Sequence, residues 1–479
     1  MRVPRHALYL GLLSVSGSLS WAAGCGAQGS TLPTTSGTGG GSTATSSSLS
    51  ASSSSGVTLT SGTGGTDGGA ACSGLACQIH TCPGNLKTTI TGTVYDPAGK
   101  NPLYGVVAYV PNAPPAPLNP GASCYTCGEL YSGTPIAAAL TGANGQFTIP
   151  DAPDGADIPL VIQIGKWRRQ FVVPSVARCA STAVPDGTLT LPKNGGEGDL
   201  PNIGISTGGS DTLECLLYRM GVDQAEYVGG ASTTGHVHIF QGAGGHNTSP
   251  PGPVPEAGLW DSLADLMAYD VVMFACEGEE TVNMNQPALY AYTEQGGRVF
   301  ASHLNYSWFY TGPFSTKNLA TWVPGGNAVG NIDVGVVTTT WNGTPFVRGQ
   351  AFHDWLLNVN ALDNDLLYVV GGRYNADVTV LNTPSQPWLV LQGTPTEPQM
   401  FTFDAPLGVP AVQQCGRVTY TDMHVSNAAT DYVGATNTIT PQGCTTADLT
   451  PQEKALEFSL FDLSSCVTPN NTPQVPMTQ

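Results

Sequence analysis

The sequence predicts a multidomain chain, a β-sandwich followed by an α/β domain on a doubly wound, mostly parallel sheet. Two observations carry this. Between residues 88 and 200, short β-branched and aromatic runs are separated by Gly, Pro and Asn turn signals, as in antiparallel sheets. From about residue 201, wholly apolar strands alternate with segments of helical period, which is how parallel strands joined by helical crossovers read. The 479-residue length allows two or three such units.

The chain opens with Arg2, Arg5 and His6 and then an apolar stretch over residues 7–21. That is too short to span a bilayer, which takes about 20 apolar residues, and it fits the core of a signal peptide. It ends at Ala22-Ala23-Gly24-Cys25. Small residues before a cysteine resemble a bacterial lipobox, which would make residues 1–24 a signal peptide and Cys25 a lipidated first residue. Ala22 replaces the usual Leu of that motif, and cleavage after Ala22 or Ala23 to release a soluble protein is the competing reading. Residues 25–71 are nearly all Ser, Thr and Gly and read as a flexible tether.

Twelve cysteines agree with export, since thiols in an oxidising compartment pair. Setting Cys25 aside leaves an odd number, so at least one thiol stays unpaired. Cys72, Cys77 and Cys82 in the lead-in, residues 72–87, suit a metal or a disulfide knot; export favours the knot. Only 10% of residues are charged, against about 25% in typical soluble domains. The net charge of −18 excludes nucleic acid as a partner, because a phosphate backbone demands basic patches.

Within the sandwich, residues 89–96 form a strand closing on the turn Pro97-Ala98-Gly99-Lys100, and residues 106–111 form a second strand. Asn144-Gly145 is a hairpin turn before the alternating strand Gln146-Phe147-Thr148-Ile149. Residues 160–164 and 170–173 continue the pattern. The G-x-V-x-D-x-x-G opening at residues 92–99, the strand ending at Val110 and Gly145-x-Phe147-x-Ile149 resemble the carboxypeptidase regulatory-like, transthyretin-like domains. That resemblance covers about a fifth of the chain and implies a structural or adhesive module without peptidase chemistry. A Pro-rich insertion, residues 111–135, departs from it and holds Cys124-x-x-Cys127. The motif suits a redox pair or half a zinc site, but the loop setting favours a local disulfide between Cys124 and Cys127. Lys166-Trp167-Arg168-Arg169 reads as a solvated basic turn, with a contact to an acidic partner as the alternative.

In the α/β part, residues 201–467, His236-Val237-His238-Ile239-Phe240 is a strand and residues 259–268 a helix. Residues 269–276 are a buried strand, residues 285–295 a helix, and residues 298–303 another buried strand after Gly296-Gly297. Residues 416–424 form a late strand. Residues 451–464 form an amphipathic helix capped by Thr450 with Glu453. Residues 468–479 read as a disordered tail.

The Tyr-Asp-Val-Val strand from Tyr269, the Ala288-Leu289-x-x-Tyr292 helix, Gly296-Gly297 and the strand closing on His303 resemble class I glutamine-amidotransferase-like folds, particularly the ThuA-like branch. Gly416-Arg417-Val418-x-Tyr420, leading to His424, is similar. The resemblance implies a cysteine nucleophile at the position His303 occupies, so the intact Cys–His–Glu arrangement is missing. Ala275-Cys276-Glu277-Gly278 looks like a nucleophile elbow, but it lies one strand too early. Parallel strands bind ligands at their carboxyl ends. The candidate catalytic or ligand-binding residues there are Cys276, Glu277, Glu279, Glu280, His303, Asn305, Asp422 and His424. Two histidines with carboxylates suit a divalent metal or acid–base work, and a structural hydrogen-bond network is the alternative. His236, His238 and His246 stand near enough in sequence to join. No G-x-S-x-G elbow and no phosphate-loop pattern occurs.

The expectation is an exported cell-envelope lipoprotein, held at a membrane through Cys25, whose role is binding, adhesion or structure rather than catalysis. A surface glycan, peptide or protein is the expected ligand. The rival expectation is an envelope hydrolase or carbohydrate-active enzyme working through His303 and His424, with or without a metal. No other cofactor is implied.

Overall fold

The computed structural model describes residues 72–125, 127–230, 232–248, 252–330, 332–425 and 439–469. Residues 1–71, where the signal peptide, Cys25 and the tether are expected, and almost all of residues 468–479, the expected tail, lie outside the described residues. No helix of the described residues is long and apolar enough to cross a membrane.

Two four-stranded sheets form the first part. Thr89–Tyr95 is the hub of one, pairing with Gln146–Ile149, Ser181–Ala183 and Leu189–Thr190. In the other, Val107–Pro111 lies between Pro135–Leu140 and Gly155–Ile164, and Trp167–Val176 forms an edge. Alternate side chains meet in one core, among them Ile90, Val94, Val110, Phe147, Ile149 and Leu160. The central strand of the second sheet, Val107–Pro111, is buried on both faces. Val107, Tyr109 and Val161 point away from that core and pack beneath Tyr131 of the Pro-rich insertion, with the Tyr109 and Tyr131 rings 5.9 Å apart.

The second part is a ten-stranded sheet. Tyr227–Gly229, Val237–Gln241, Ile203–Thr207, Val271–Phe274, Arg298–Ser302 and Gly416–Thr421 follow one another in parallel. The sheet then continues antiparallel through Thr394–Ala405, Ser385–Leu391, Ile332–Val337 and Leu366–Val370. Six of its ten strands thus form the expected parallel part, and four extend it antiparallel. The antiparallel half comes from the stretch between the late strand and Ser302, where apolar alternation is too weak to read as paired strands. Ile203–Thr207 sits between Val237–Gln241 and Val271–Phe274, so the chain leaves it in both directions and opens a crevice at its carboxyl end.

Helices fall close to their expected places. Residues 259–268 divide into Ala257–Trp260 and Leu263–Met267 because Ser262 and Asp265 form a capping box that starts the second piece afresh. Asn285 caps Gln286–Glu294. Thr450 and Glu453 form the expected capping box on Pro451–Ser464. That last helix is not amphipathic in use. From Gln452 to Ser464 every residue but Lys454 is buried, because the helix lies between the small sheets and the large one. Phe461 meets Trp167 of the small sheets at 5.9 Å, while Phe458 meets Trp355 at 5.4 Å and Phe352 at 4.8 Å.

Each of its acids has a distant partner. Glu453 binds Arg219, with one contact at 2.9 Å, and Asn101 donates to Glu457 at 2.7 Å. Asp462 pairs with Arg348 and, at 3.0 Å, with Arg417, which also holds Asp404 at 2.6 Å. A charge this deep persists only when paired.

The basic run at residues 166–169 is not a solvated turn. Lys166 and Arg168 are 6% and 3% exposed. Lys166 binds Asp270 and donates to the Asn119 and Gly121 carbonyls, and Arg168 bridges Asp199 at 2.8 Å. The hairpin docks on the end of the buried helix. Gly165 has φ +55°, and a Cβ there would stand 1.9 Å from the Ser464 carbonyl oxygen.

Nor do Cys124 and Cys127 bridge each other. Cys124 joins Cys415 and Cys127 joins Cys466, fastening the insertion to the late strand and to the end of the buried helix. The insertion is pressed against the large sheet, so its thiols meet distant partners before each other. Cys72–Cys77, Cys82–Cys179 and Cys215–Cys444 complete the pairs. Among the described residues Cys276 is the thiol left over.

Two outcomes follow. Non-reducing peptide mapping will recover Cys124–Cys415 and Cys127–Cys466 linkages, and no Cys124–Cys127 peptide. Replacing Cys127 and Cys466 together by Ser will lower unfolding free energy by roughly 2–4 kcal/mol, read from urea denaturation, since their bridge closes a long loop in the unfolded chain.

Candidate functional site

Four parallel strands deliver the site. Their apolar residues are buried on both faces, so polar side chains gather only where the strands end. After Ile203–Thr207 the chain turns through Gly208-Gly209-Ser210 to Asp211. Gly208 lets it approach its neighbour, since a Cβ there would lie 2.2 Å from the Cys276 carbonyl oxygen. Ser210 N–H donates to that same oxygen at 3.0 Å. After Val271–Phe274 comes Cys276, whose N–H donates to Ser302 Oγ at 3.0 Å. After Arg298–Ser302 comes His303, at φ +46°. A non-glycine residue in the left-handed region is uncommon and costs about 1–3 kcal/mol, and such strain gathers at functional sites. After Gly416–Thr421 come Asp422 and His424.

Three of these side chains converge. Cys276 Sγ lies 3.1 Å from His303 Nδ1. The His303 and His424 rings meet edge to face, with centroids 4.9 Å apart. One ligand-type atom from each of Cys276, His303 and His424 falls within 4.8 Å of the others. Cys276 is 0% exposed, His303 7% and His424 8%. Burial pushes the Cys276 thiol up to about 11. Burial, then the neighbouring His424 and Arg373, push His303 down to about 2, and burial with Arg373 lowers His424 to about 4. All three are thus neutral near pH 7. His303 Nε2 and His424 Nε2 are buried with no hydrogen-bond partner among the described residues.

Two acids frame the cluster. Asp211 is wholly buried; its Oδ1 accepts from Val425 N–H at 2.8 Å, and burial raises its carboxyl to about 8. Asp422 Oδ2 accepts from Asn375 N–H at 3.0 Å, and burial raises that carboxyl to about 7. Tyr420 Oη stands 2.8 Å from the His303 carbonyl and 2.7 Å from Asp422 Oδ1. One hydroxyl proton cannot serve both. With Tyr420 donating to His303, a protonated Asp422 completes the set by donating to Tyr420.

The other sequence candidates do different work. Asn305 is consumed as a clamp: Nδ2 donates to the Phe274, Ala275 and Ser302 carbonyls at 3.0–3.2 Å. Glu277 accepts from Ala243 N–H at 3.0 Å and from Thr281 Oγ1 at 2.6 Å, tying the Gly-rich loop to the crevice. Beside it, burial and then Glu277 raise Glu256 to about 8. Glu280 accepts from Tyr306, and Glu279 is exposed. None of the three upstream histidines joins the cluster. His236 pairs with Glu226, His238 with the Tyr269 hydroxyl at 3.0 Å, and His246 lies 3.5 Å from Glu214. His236 and His238 line a separate groove of about 670 Å³ near the opposite strand ends.

Sequence reasoning missed Asp211, Glu256 and Arg373. Gly208-Gly209-Ser210-Asp211 after a buried strand was a usable signal for the first. Arg373 opens Arg373–Asp377, which pairs with Thr321–Ala328 in a separate two-stranded sheet, and nothing local announces it.

No protein-family model matches the chain, and no curated protein matches it. Solved structures give distant likenesses. A ThuA-like protein of Parabacteroides merdae is 11% identical over 52% of this chain and 97% of its own, with TM-score 0.28. A ThuA-like protein of Bacteroides uniformis is 9% identical over 46% and 80%, with TM-score 0.26. The mmIFT52 N-terminal domain is 10% identical over 55% and 96%, with TM-score 0.30.

The buried acids set a pH dependence. Asp211 and Asp422 titrate near 8 and 7 in the folded chain, against about 3.9 unfolded. Between those values the native state binds more protons than the unfolded one, so stability falls as pH rises. Above about pH 6.5, where His303 and His424 are neutral in both states, urea midpoints will fall toward pH 8, and Asp211→Asn, which keeps the acceptor at Oδ1, will flatten that decline. An unchanged slope in the variant would contradict the assignment.

Proposed function

We propose that this is an exported protein of the cell envelope whose α/β part binds a ligand at the Cys276, His303 and His424 cluster without covalent catalysis. The observation that carries this reading is the neutrality of a fully buried Cys276 beside a neutral His303. A catalytic cysteine works as a thiolate, with its pKa lowered by a cationic neighbour and its sulfur open to substrate. Here burial acts in the opposite direction on both groups. The five disulfides support an oxidising compartment. The apolar stretch over residues 7–21 and Cys25 support export and a lipid anchor, with residues 25–71 as a tether. On this reading the small sheets are a transthyretin-like support for a ThuA-like binding unit.

Two measurements test it. Mass spectrometry of the mature N-terminus will find diacylglycerol on Cys25, and an unmodified Cys25 would remove the anchor. Iodoacetamide will leave Cys276 unlabelled in the native protein and label it after unfolding. Rapid native labelling that vanishes in His303→Ala would reveal an activated nucleophile and sink the non-catalytic reading.

A further inference from the structure

We propose that the ligand of this cluster is a zinc-class divalent metal ion, held by Cys276, His303 and His424; this rests on the reading of the cluster as a binding site. One sulfur and two imidazoles form a donor set that suits Zn²⁺, and hard cations such as Mg²⁺ and Ca²⁺ disfavour it. In a tetrahedral zinc site, bonds of about 2.0–2.3 Å place the donors roughly 3.3–3.7 Å apart. The Sγ–Nδ1 separation is 3.1 Å and all three donors lie within 4.8 Å, so small side-chain rotations close the set.

The second observation is independent of that spacing. His424 is 8% exposed and buries an Nε2 that no described residue satisfies. A buried polar atom left without a partner costs about 1–3 kcal/mol. His303 likewise buries an Nε2 with no hydrogen-bond partner among the described residues. Its Nδ1 faces the thiol, and its backbone is locked by the Tyr420 hydroxyl on its carbonyl.

Charge balance is compatible. An ion brings two positive charges, the coordinated thiol gives up its proton, and Asp211 and Asp422 lie close by as buried acids. Arg373 is the opposing charge, felt by all three donors. Three protein donors leave a fourth position, the arrangement of a site that also accepts water or a small anion.

The test is cobalt titration of the full mature chain, produced in an oxidising compartment and stripped with chelator. One equivalent of Co²⁺ is expected to give a sulfur-to-cobalt charge-transfer band and the intense visible bands of a tetrahedral site, both displaced by Zn²⁺. Cys276→Ser will abolish the charge-transfer band. His424→Ala will weaken binding by more than the roughly 10–100-fold that loss of an outer-shell partner costs. Should either variant fold poorly, the wild-type chain decides alone, since Zn²⁺ bound only by the native state raises its melting temperature with concentration. No cobalt bands and no zinc-dependent melting shift would overturn the inference. So would bands indifferent to Cys276→Ser. Neither result touches the labelling test of the non-catalytic reading, so the two fail separately.

Discussion

The structure depends on one helix that has no exposed face. Pro451–Ser464 lies between the small sheets and the large one, and it carries Glu453, Glu457 and Asp462 into the interior. Each would be prohibitive alone. Glu453 is neutralised by Arg219, and Asp462 by Arg348 and Arg417. Glu457 takes the other route. Burial and the facing Asp96 keep it protonated, and Asn101 donates to it. Arg219 follows the first strand of the large sheet, Arg417 lies in the last parallel strand, and Asn101 belongs to the small sheets. A segment near the end of the described chain therefore locks parts that lie hundreds of residues apart, and the Cys127–Cys466 bridge fastens its end.

That lock bears directly on the site. Arg417 starts the strand whose far end presents Asp422 and His424, and Gln452 of the helix donates to the His424 carbonyl at 2.7 Å. The same strand carries Tyr420, which holds the His303 carbonyl in its left-handed turn. The position of three ring and sulfur donors is thus set by elements packed on every side, and the donors themselves have few hydrogen-bonding duties. Their pairing is poor for a core and good for a ligand. The neutral states follow from the same burial: a site sealed this well disfavours charge on thiol and imidazole alike, unless a cation arrives to take the electron pairs.

What was legible in the sequence is what depends on neighbours along the chain. The cap at Thr450, the apolar strands ending at Phe274 and Ser302, and the gathering of Cys276, His303 and His424 at strand ends all follow from local pattern. What was not legible depends on partners far away. The helix at residues 451–464 reads as amphipathic because its acids look like a solvent face; only Arg219, Arg348 and Arg417 make them interior. Lys166 and Arg168 look solvated for the same reason, until Asp270 and Asp199 are found beside them. Cys124 and Cys127 read as a local pair because spacing is all the sequence offers, whereas the fold brings Cys415 and Cys466 to them. Asn305 and Glu277 look like site residues by position, and their hydrogen bonds are spent on holding loops.

The most direct measurement is X-ray absorption at the zinc edge on protein reconstituted with one equivalent of Zn²⁺. The expected first shell has one sulfur at about 2.3 Å and two imidazole nitrogens at about 2.0–2.1 Å, with one lighter ligand completing it. A shell without sulfur, or one made of oxygens alone, would contradict the assignment of Cys276, His303 and His424 as the binding set.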